Sequence, residues 1–260
     1  MSFNFYILGS SSSGNCALLS TPDANILIDA GFSARRIKRS LDMLNVEMAS
    51  IDAVFLTHEH CDHCAGVAGL SRMENLLFFA NRDTARAVQS TCTKTNPSWR
   101  IFDTGISFSF QGITVETFSI PHDAADPVGY TFTLADGATL SWVTDLGHVP
   151  RLVRERIKHT DYLVLESNYD VDMLACSARP LSLKQRIKGR HGHLSNDLAL
   201  ELLLTLESTR LKQVFLAHLS NECNTPALVT DAMATARAAR PQCGFTVIAP
   251  DSTDPVVFTP

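Results

Sequence analysis

Six consecutive positions carry the densest chemistry in the chain. His58-Glu59-His60-Cys61-Asp62-His63 holds three imidazoles and two carboxylates. In extended backbone alternate side chains share a face, so His58, His60 and Asp62 are expected to point one way and Glu59 and Cys61 another. Two imidazoles and a carboxylate suit a borderline-hard divalent cation, and His63 is placed to reach a second ion. Without a cation, four potential ligands (His58, His60, Asp62, His63) on one short turn would repel one another or carry a desolvation cost. Two look-alike motifs fail. The segment is not H-E-x-x-H, because Asp62 stands in the fifth position. Cys61-Asp-His-Cys64 has the spacing of a redox pair or half a zinc knuckle, but no second C-x-x-C exists.

The elements that must position these residues read as strands. The apolar run Ile51–Leu56 precedes the cluster and reads as a buried strand. The same event recurs along the chain. Ile113–Ile120 ends in Pro121-His122, where the proline fixes the backbone before a candidate ligand. Ala138–Val143 ends in Thr144-Asp145, and Gln213–Ala217 delivers His218. Sheets gather strand ends at one edge, so these residues are expected to converge. The candidate ligands are His58, His60, Asp62, His63, His122, Asp145 and His218, more than one tetrahedral ion needs. Alone, Asp145 reads as a helix cap or turn residue. If it bridges, His58, His60 and His122 hold one ion, and Asp62, His63 and His218 the other. Two ions roughly 3.5–4 Å apart acidify a shared water. The expected product is a hydrolase that uses a bridging hydroxide and two divalent ions. Mixed His/Asp ligation is compatible with Zn, Mn or Fe.

The frame around these residues is large enough to hold them. The chain has 260 residues, 45% of them hydrophobic, which suits one layered α/β domain with a substantial core. Net charge is −5, so a chain-wide basic signal for nucleic acid is absent, although local basic patches and metal ions can supply a positive field. Seven cysteines without framework spacing fit reduced thiols in the cytoplasm. The N-terminus lacks a basic n-region, and no apolar stretch approaches membrane-spanning length. Gly9-Ser-Ser-Ser-Ser-Gly14-Asn15-Cys16 reads as a polar hairpin loop. It is not a P-loop, because Asn15 stands where Lys is needed. Its hydroxyls and amides, Asn15 included, could hold a phosphate oxygen. Ser33 reads as the N-cap of a helix running to about Leu44, with Arg35, Arg36, Lys38 and Arg39 as a solvated face or a phosphate-contact surface. A helix is expected over Ala65–Met73, and Thr91–Ser98 reads as loop. The most basic stretch, Lys184 to His193, makes Lys184, Arg186 and Arg190 candidate backbone contacts.

In sum, these motifs resemble a known family. Thr57-His-Glu-His-Cys-Asp-His63 resembles the H-x-H-x-D-H signature of the metallo-β-lactamase superfamily, with Asp29, His122, Asp145 and His218 matching its other motifs in order. The resemblance spans essentially the whole chain. It implies an αββα sandwich with a dinuclear site at one edge. The stretches Gly9–Cys16, Asp29-Ala-Gly-Phe-Ser33, Pro121–Gly129, Gly192-His-Leu-Ser-Asn196 and Ala217-His-Leu-Ser220 resemble its YycJ/WalJ-like branch. That resemblance implies metal-dependent 5′→3′ exonuclease action on DNA. Asp62 would bind a metal and orient the hydroxide, His193 would donate to a phosphoryl or leaving-group oxygen, and Asn168 would contact substrate. One departure is Tyr169, where the branch leads one to expect His. Two other functions fit the same residues: a hydrolase of thioesters, lactones or cyclic nucleotides, and a non-catalytic metal-binding protein.

Overall fold

Ile26, Leu27 and Ile28 point alternately to two different cores, and this period of two explains why the strand is apolar throughout. Ile26 and Ile28 face the space between two sheets, while Leu27 packs under helices on the outer side. Val164 and Phe215 face the same inner space from the opposite sheet, and Leu163, Leu165, Val214 and Leu216 face a second helical layer. The structure, a computed structural model, describes residues 3–250 and 252–260.

The first sheet contains β1 (Asn4–Ser11), β2 (Gly14–Ser20), β3 (Asn25–Ile28), β4 (Ala53–Phe55), β5 (Leu77–Asn81) and β6 (Ser98–Phe102). The second contains β7 (Phe108–Phe110), β8 (Ile113–Ser119), β9 (Val128–Thr133), β10 (Thr139–Val143), β11 (Tyr162–Glu166), β12 (Gln213–Ala217) and β13 (Gly244–Val247). The last strand, β14 (Val256–Phe258), returns to the first sheet beside β1. The strand orders are β14-β1-β2-β3-β4-β5-β6 and β13-β12-β11-β10-β9-β8-β7.

Helices α1 (Ala34–Met43), α2 (Cys61–Cys64), α3 (Val67–Leu70) and α4 (Arg82–Thr91) come from the first half. The second half supplies α5 (Arg151–Ile157), α6 (Val171–Cys176), α7 (Leu181–Lys188), α8 (Asn196–Thr205), α9 (Pro226–Ala232) and α10 (Ala234–Ala239). Ile37 of α1, Val67 of α3 and Val88 of α4 cover the first sheet; Val153 of α5, Leu202 of α8 and Val229 of α9 cover the second. The architecture is an αββα sandwich. No helix of the described residues is long and apolar enough to cross a membrane.

The register explains where the site must be. Strands β3 to β6 run parallel, as do β10 to β13. β8 and β10 both pair antiparallel with β9, so they too run the same way. The carboxyl ends of β3, β4, β8, β10, β11 and β12 therefore open on one edge of the sandwich. Ser33 caps α1 by accepting a bond from the Arg36 N–H, as its position implies.

Several local expectations need correction. Gly9 to Cys16 is not a loop: β1 and β2 run through it, with a bulge between Ile7 and Gly9 and only Ser12 and Ser13 at the tip. The helix expected over Ala65–Met73 is only the single turn α3. Residue 98 begins an edge strand, β6, rather than ending a loop. The extended backbone after β4 does not reach Asp62, which sits in the helical turn α2 together with His63.

Candidate metal centre

Five of the seven candidate ligands stand just past a strand end. His58 and His60 follow β4, His122 follows β8, Asp145 follows β10, and His218 follows β12. Asp62 and His63 reach the same edge from α2. His58, His63, His122, Asp145 and His218 are buried, while His60 and Asp62 face a cavity of about 190 Å³. Three residues at these ends adopt left-handed backbone: Asp29 (φ 59°), Asp145 (φ 62°) and His218 (φ 57°). Aspartate tolerates this region, but for His218 it costs on the order of 1 kcal/mol, strain of the kind that collects at functional sites.

The structure brings the seven side chains together in two overlapping groups. Ligand-capable atoms of His58, His60 and His122 lie within 4.8 Å of one another, and those of Asp62, His63 and His218 form a second such set. Asp145 stands between them, with Oδ2 3.2 Å from His63 Nε2 and Oδ1 3.4 Å from His218 Nε2 and 3.8 Å from His122 Nε2.

Buried partners on the far side of the rings set their tautomers. Asp29 Oδ2 lies 2.7 Å from His63 Nδ1, and Glu166 Oε1 lies 2.8 Å from His218 Nδ1. A carboxylate at that distance takes an N–H, so each neutral ring turns its Nε2 lone pair inward. His122 Nδ1 lies 3.0 Å from the Gly192 carbonyl oxygen, with the same consequence. These inward lone pairs face the carboxylates of Asp62 and Asp145 and, at 3.2 Å, the Nδ1 of His60. Lone pairs facing lone pairs repel unless a cation or a proton lies between them. Two buried atoms, His58 Nε2 and Asp145 Oδ2, have no hydrogen-bond partner among the described residues. The donor set therefore fits divalent cations.

Electrostatics lead to the same conclusion. Burial opposes a charge on His63, yet Asp145, Asp29 and Asp62 together hold its pKa well above the ordinary imidazole value. Burial likewise opposes charge on His218, and Asp145, Asp62 and Glu166 outweigh it, pushing its pKa up to about 10. Burial followed by His63 holds His58 well below its ordinary value. Burial works against charge on Asp145, but His218 and His63 keep its carboxylate ionised. The site attracts positive charge, and metal cations can replace those protons.

Glu166 is the side chain that sequence reading missed. It ends the apolar strand β11 and has no solvent exposure. Oε1 accepts from both His193 Nδ1 and His218 Nδ1 at 2.8 Å, and Oε2 accepts the backbone N–H groups of Leu146 and Leu194. Although it lies close enough to Asp145, His193 and His218 to complete a ligand group, four N–H donors already occupy its oxygens. It orients rings rather than ligating. Asp29 does the same for His63 and also binds the Thr57 N–H and hydroxyl.

The remaining candidates divide. His193 and Asn168 line the cavity, as does Arg186, whose Nε lies 2.5 Å from Asp123 Oδ2. Asn168 Nδ2 donates to the His218 carbonyl at 2.7 Å, so it also fixes that loop. Asn15 is fully buried, with its amide spent on Ser10, on the Ser11 carbonyl and near His63 Nε2; burial places it behind the site, out of reach of a substrate. Lys184 donates to the Ala175 carbonyl, and neither it nor the exposed Arg190 lines the cavity. Tyr169 is buried against Leu174, Ile187 and Cys223, a packing role.

A family model described as the beta-lactamase superfamily domain matches residues 24–218. The chain belongs to the metallo-β-lactamase superfamily. It is 35% identical over 229 residues to an exodeoxyribonuclease, WalJ, of Streptococcus pneumoniae, a match covering 87% of this chain and 85% of that protein. It is 32% identical over 229 residues to the exodeoxyribonuclease YycJ of Bacillus anthracis, covering 88% and 86%. These matches place it in the YycJ/WalJ-like branch. Among solved structures, the metallo-β-lactamase fold protein YhfI from Bacillus subtilis superposes with a TM-score of 0.77 at 15% identity, covering all of both chains. Zinc-bound PqqB from Methylobacterium extorquens gives 0.70 at 19% identity, covering 98% of this chain and 99% of that one. These likenesses support the fold. Family and donor set together make the chain a metal-dependent hydrolase.

Proposed function

We propose that the chain is a 5′→3′ exodeoxyribonuclease whose phosphodiester bond is cut at the cavity bounded by His60, Asp62, His122 and His193. The observation that carries this reading is the polar character of that cavity. Its walls are imidazoles, carboxylates and the two guanidinium groups of Arg179 and Arg186, with Leu183 and Ile187 as the apolar side chains. A thioester or lactone hydrolase would be served better by an apolar enclosure. The names of the relatives supply DNA as the substrate and exonucleolytic action as the mode.

We assign His58, His60 and His122 to one metal position and Asp62, His63 and His218 to a second, with Asp145 between them. Bound divalent ions supply an acidified water and offset the charge on phosphoryl oxygens. The chain's own residues do the rest. Asp62 Oδ2 lies 3.4 Å from both His63 Nε2 and His218 Nε2 and orients the attacking water from the cavity floor. Asp29 and Glu166 hold the rings of His63 and His218 so that their Nε2 atoms keep aim. His193 gives its Nδ1–H to Glu166, so it hands a proton to the departing oxygen from Nε2 in its imidazolium form, with the Glu166 carboxylate facing that charge. Asn168 Nδ2, 3.3 Å from Ser12 Oγ, closes one wall.

The test is incubation of the purified protein with end-labelled single- and double-stranded DNA in Mn²⁺ or Zn²⁺, beside Asp62→Ala. The expected result is metal-dependent shortening from the 5′ end, lost in the variant. Absence of shortening under every metal condition overturns the reading. Activity retained by Asp62→Ala would make the metal site structural.

A further inference from the structure

Helix α1 exposes Arg35, Arg36, Lys38 and Arg39 to solvent. Lys38 is neutralised by Asp42 at 2.7 Å. The three arginines form no ion pair among the described residues, whereas at the cavity rim Arg179 pairs with Glu222 at 3.0 Å and Arg186 with Asp123. On a chain of net charge −5, three uncompensated guanidinium groups on one short helix are a local excess. Offsets of three and four residues set Arg36 and Arg35 beside Arg39 on the helix surface.

This face is joined to the metal cavity by the β1–β2 hairpin. Phe32 fills the space beside both hairpin glycines: a Cβ on Gly14 would lie 2.2 Å from its Cε1, and one on Gly9 2.7 Å from its Cζ. Arg36 Cζ lies 3.7 Å from the centre of the same ring. The stacking docks the guanidinium against the base of the hairpin. At the hairpin's tip Ser12 and Ser13 are exposed, and Ser12 lines the cavity. The hairpin thus links the Ser12 hydroxyl at the cavity to the Arg36 guanidinium at its base, with Arg39 one helical turn further along α1.

We propose that the Ser12–Ser13 tip and the Arg35, Arg36 and Arg39 face of α1 form the track that grips the phosphate backbone of the strand being digested. The inference rests on the exonuclease reading and adds to it a substrate path. Hydroxyl and guanidinium contacts of this kind bind phosphate oxygens and carry no base information, so the grip is independent of sequence. The paired arginines of the rim contribute less to it, because a substrate would first have to displace their carboxylates.

The test compares wild type with Arg35→Gln/Arg39→Gln, with the triple variant that adds Arg36→Gln, and with Arg151→Gln/Arg156→Gln on α5 as a charge-matched control. Binding of a long labelled DNA strand is followed by fluorescence anisotropy across salt concentrations, with cleavage of that strand and of a dinucleotide measured in parallel. The double variant is expected to bind the long strand about tenfold more weakly, with the log–log salt slope reduced by about 1–2. Its preference for the long strand over the dinucleotide falls by a similar factor, and the triple variant goes further. The α5 control keeps wild-type binding and slope. An unchanged slope and preference in the double variant, or an equal fall in the control, overturns the track. Binding without cleavage by wild type would sink the exonuclease reading while the slopes still judge α1. The double variant spares the Phe32 stacking, so a misfolded triple variant does not decide the result.

Discussion

Glu166 Oε1 accepts a hydrogen bond from His193 Nδ1 at 2.8 Å, from a position closed to solvent. The same oxygen takes the Nδ1–H of His218, so a single carboxylate orients both a candidate ligand and the candidate proton donor. The two functions are separable by mutation. Glu166→Gln turns an amide N–H₂ toward N–H donors, which misorients both rings. The expected effect is a 10–100-fold loss of metal affinity and activity together. His193→Ala should keep its metal and lose roughly 10²–10⁴-fold in rate on DNA. On a p-nitrophenyl phosphodiester, whose leaving group needs no proton, the loss should be far smaller. Metal content by mass spectrometry and rates on both substrates check the pair. Equal losses on the two substrates would remove His193 from the leaving-group role.

Asp29 offers a cleaner probe of ring orientation, because its backbone is left-handed and asparagine tolerates that region. Asp29→Asn therefore leaves the chain path alone and replaces the carboxylate oxygen that faces His63 Nδ1 at 2.7 Å with a neutral amide, since the remaining oxygen is held by the Thr57 N–H. Metal affinity is expected to fall about 10–100-fold, with the thermal unfolding curve of the metal-free protein little changed. Competition with a chromophoric chelator measures the affinity. Wild-type affinity would show that Thr57 and Asn15 hold His63 without help from Asp29.

Much of this site could be seen in the sequence because five of the seven candidate ligands follow a strand end. His122, Asp145 and His218 follow apolar runs closely, and strand ends of like direction must share an edge. Glu166 escaped notice for the same reason reversed. It is the last residue of Tyr162–Glu166, where a charge usually marks a strand's emergence into solvent, yet four N–H donors bury it. Helix α2 was hidden because four residues are too few to show a helical period, so the alternation rule misplaced Asp62. Strand β6 lacks the apolar signature since Ser98, Arg100 and Ile101 are exposed on a sheet edge. Asn15 looked like a phosphate contact because exposure cannot be read from residue type.

Gly31 tests how tightly the first sheet clamps the metal turn. A Cβ at this position would lie 1.7 Å from the Asp62 carbonyl oxygen and 2.5 Å from the Asn15 nitrogen. Both obstacles are backbone, so Gly31→Ala must push α2 away from β2. Because Asp62 and His63 move with that turn, the expected outcome is at least a tenfold loss of metal affinity, in addition to destabilisation of about 1–3 kcal/mol from overpacking. Calorimetric metal titration and denaturant midpoints measure the two effects. Stability lost with metal affinity intact would show that the turn relaxes without disturbing its ligands.

The opposite edge of the sandwich carries a different kind of carboxylate, and it makes a prediction about pH. Asp161 Oδ2 accepts the Thr139 N–H and hydroxyl at 3.0 Å and Arg210 Nη2 at 2.6 Å, while Lys212 Nζ lies 3.2 Å from Oδ1. These contacts tie the starts of β10, β11 and β12. Burial resists the charge, but Arg210, Thr139 and Lys212 outweigh it and hold the carboxyl below its ordinary value. A depressed folded-state pKa means that the stabilisation is complete above the unfolded value of about 3.9 and is lost as pH falls through the folded one. Asp161→Asn should therefore be less stable than wild type at neutral pH, by about 1–2 kcal/mol given the exposure of Arg210 and Lys212. The gap should narrow below about pH 4 as the wild-type carboxylate takes up its proton. Urea midpoints of the two proteins from neutral to acidic pH measure it. A gap that stays constant with pH would show that Asp161 acts there through shape and hydrogen bonding rather than charge.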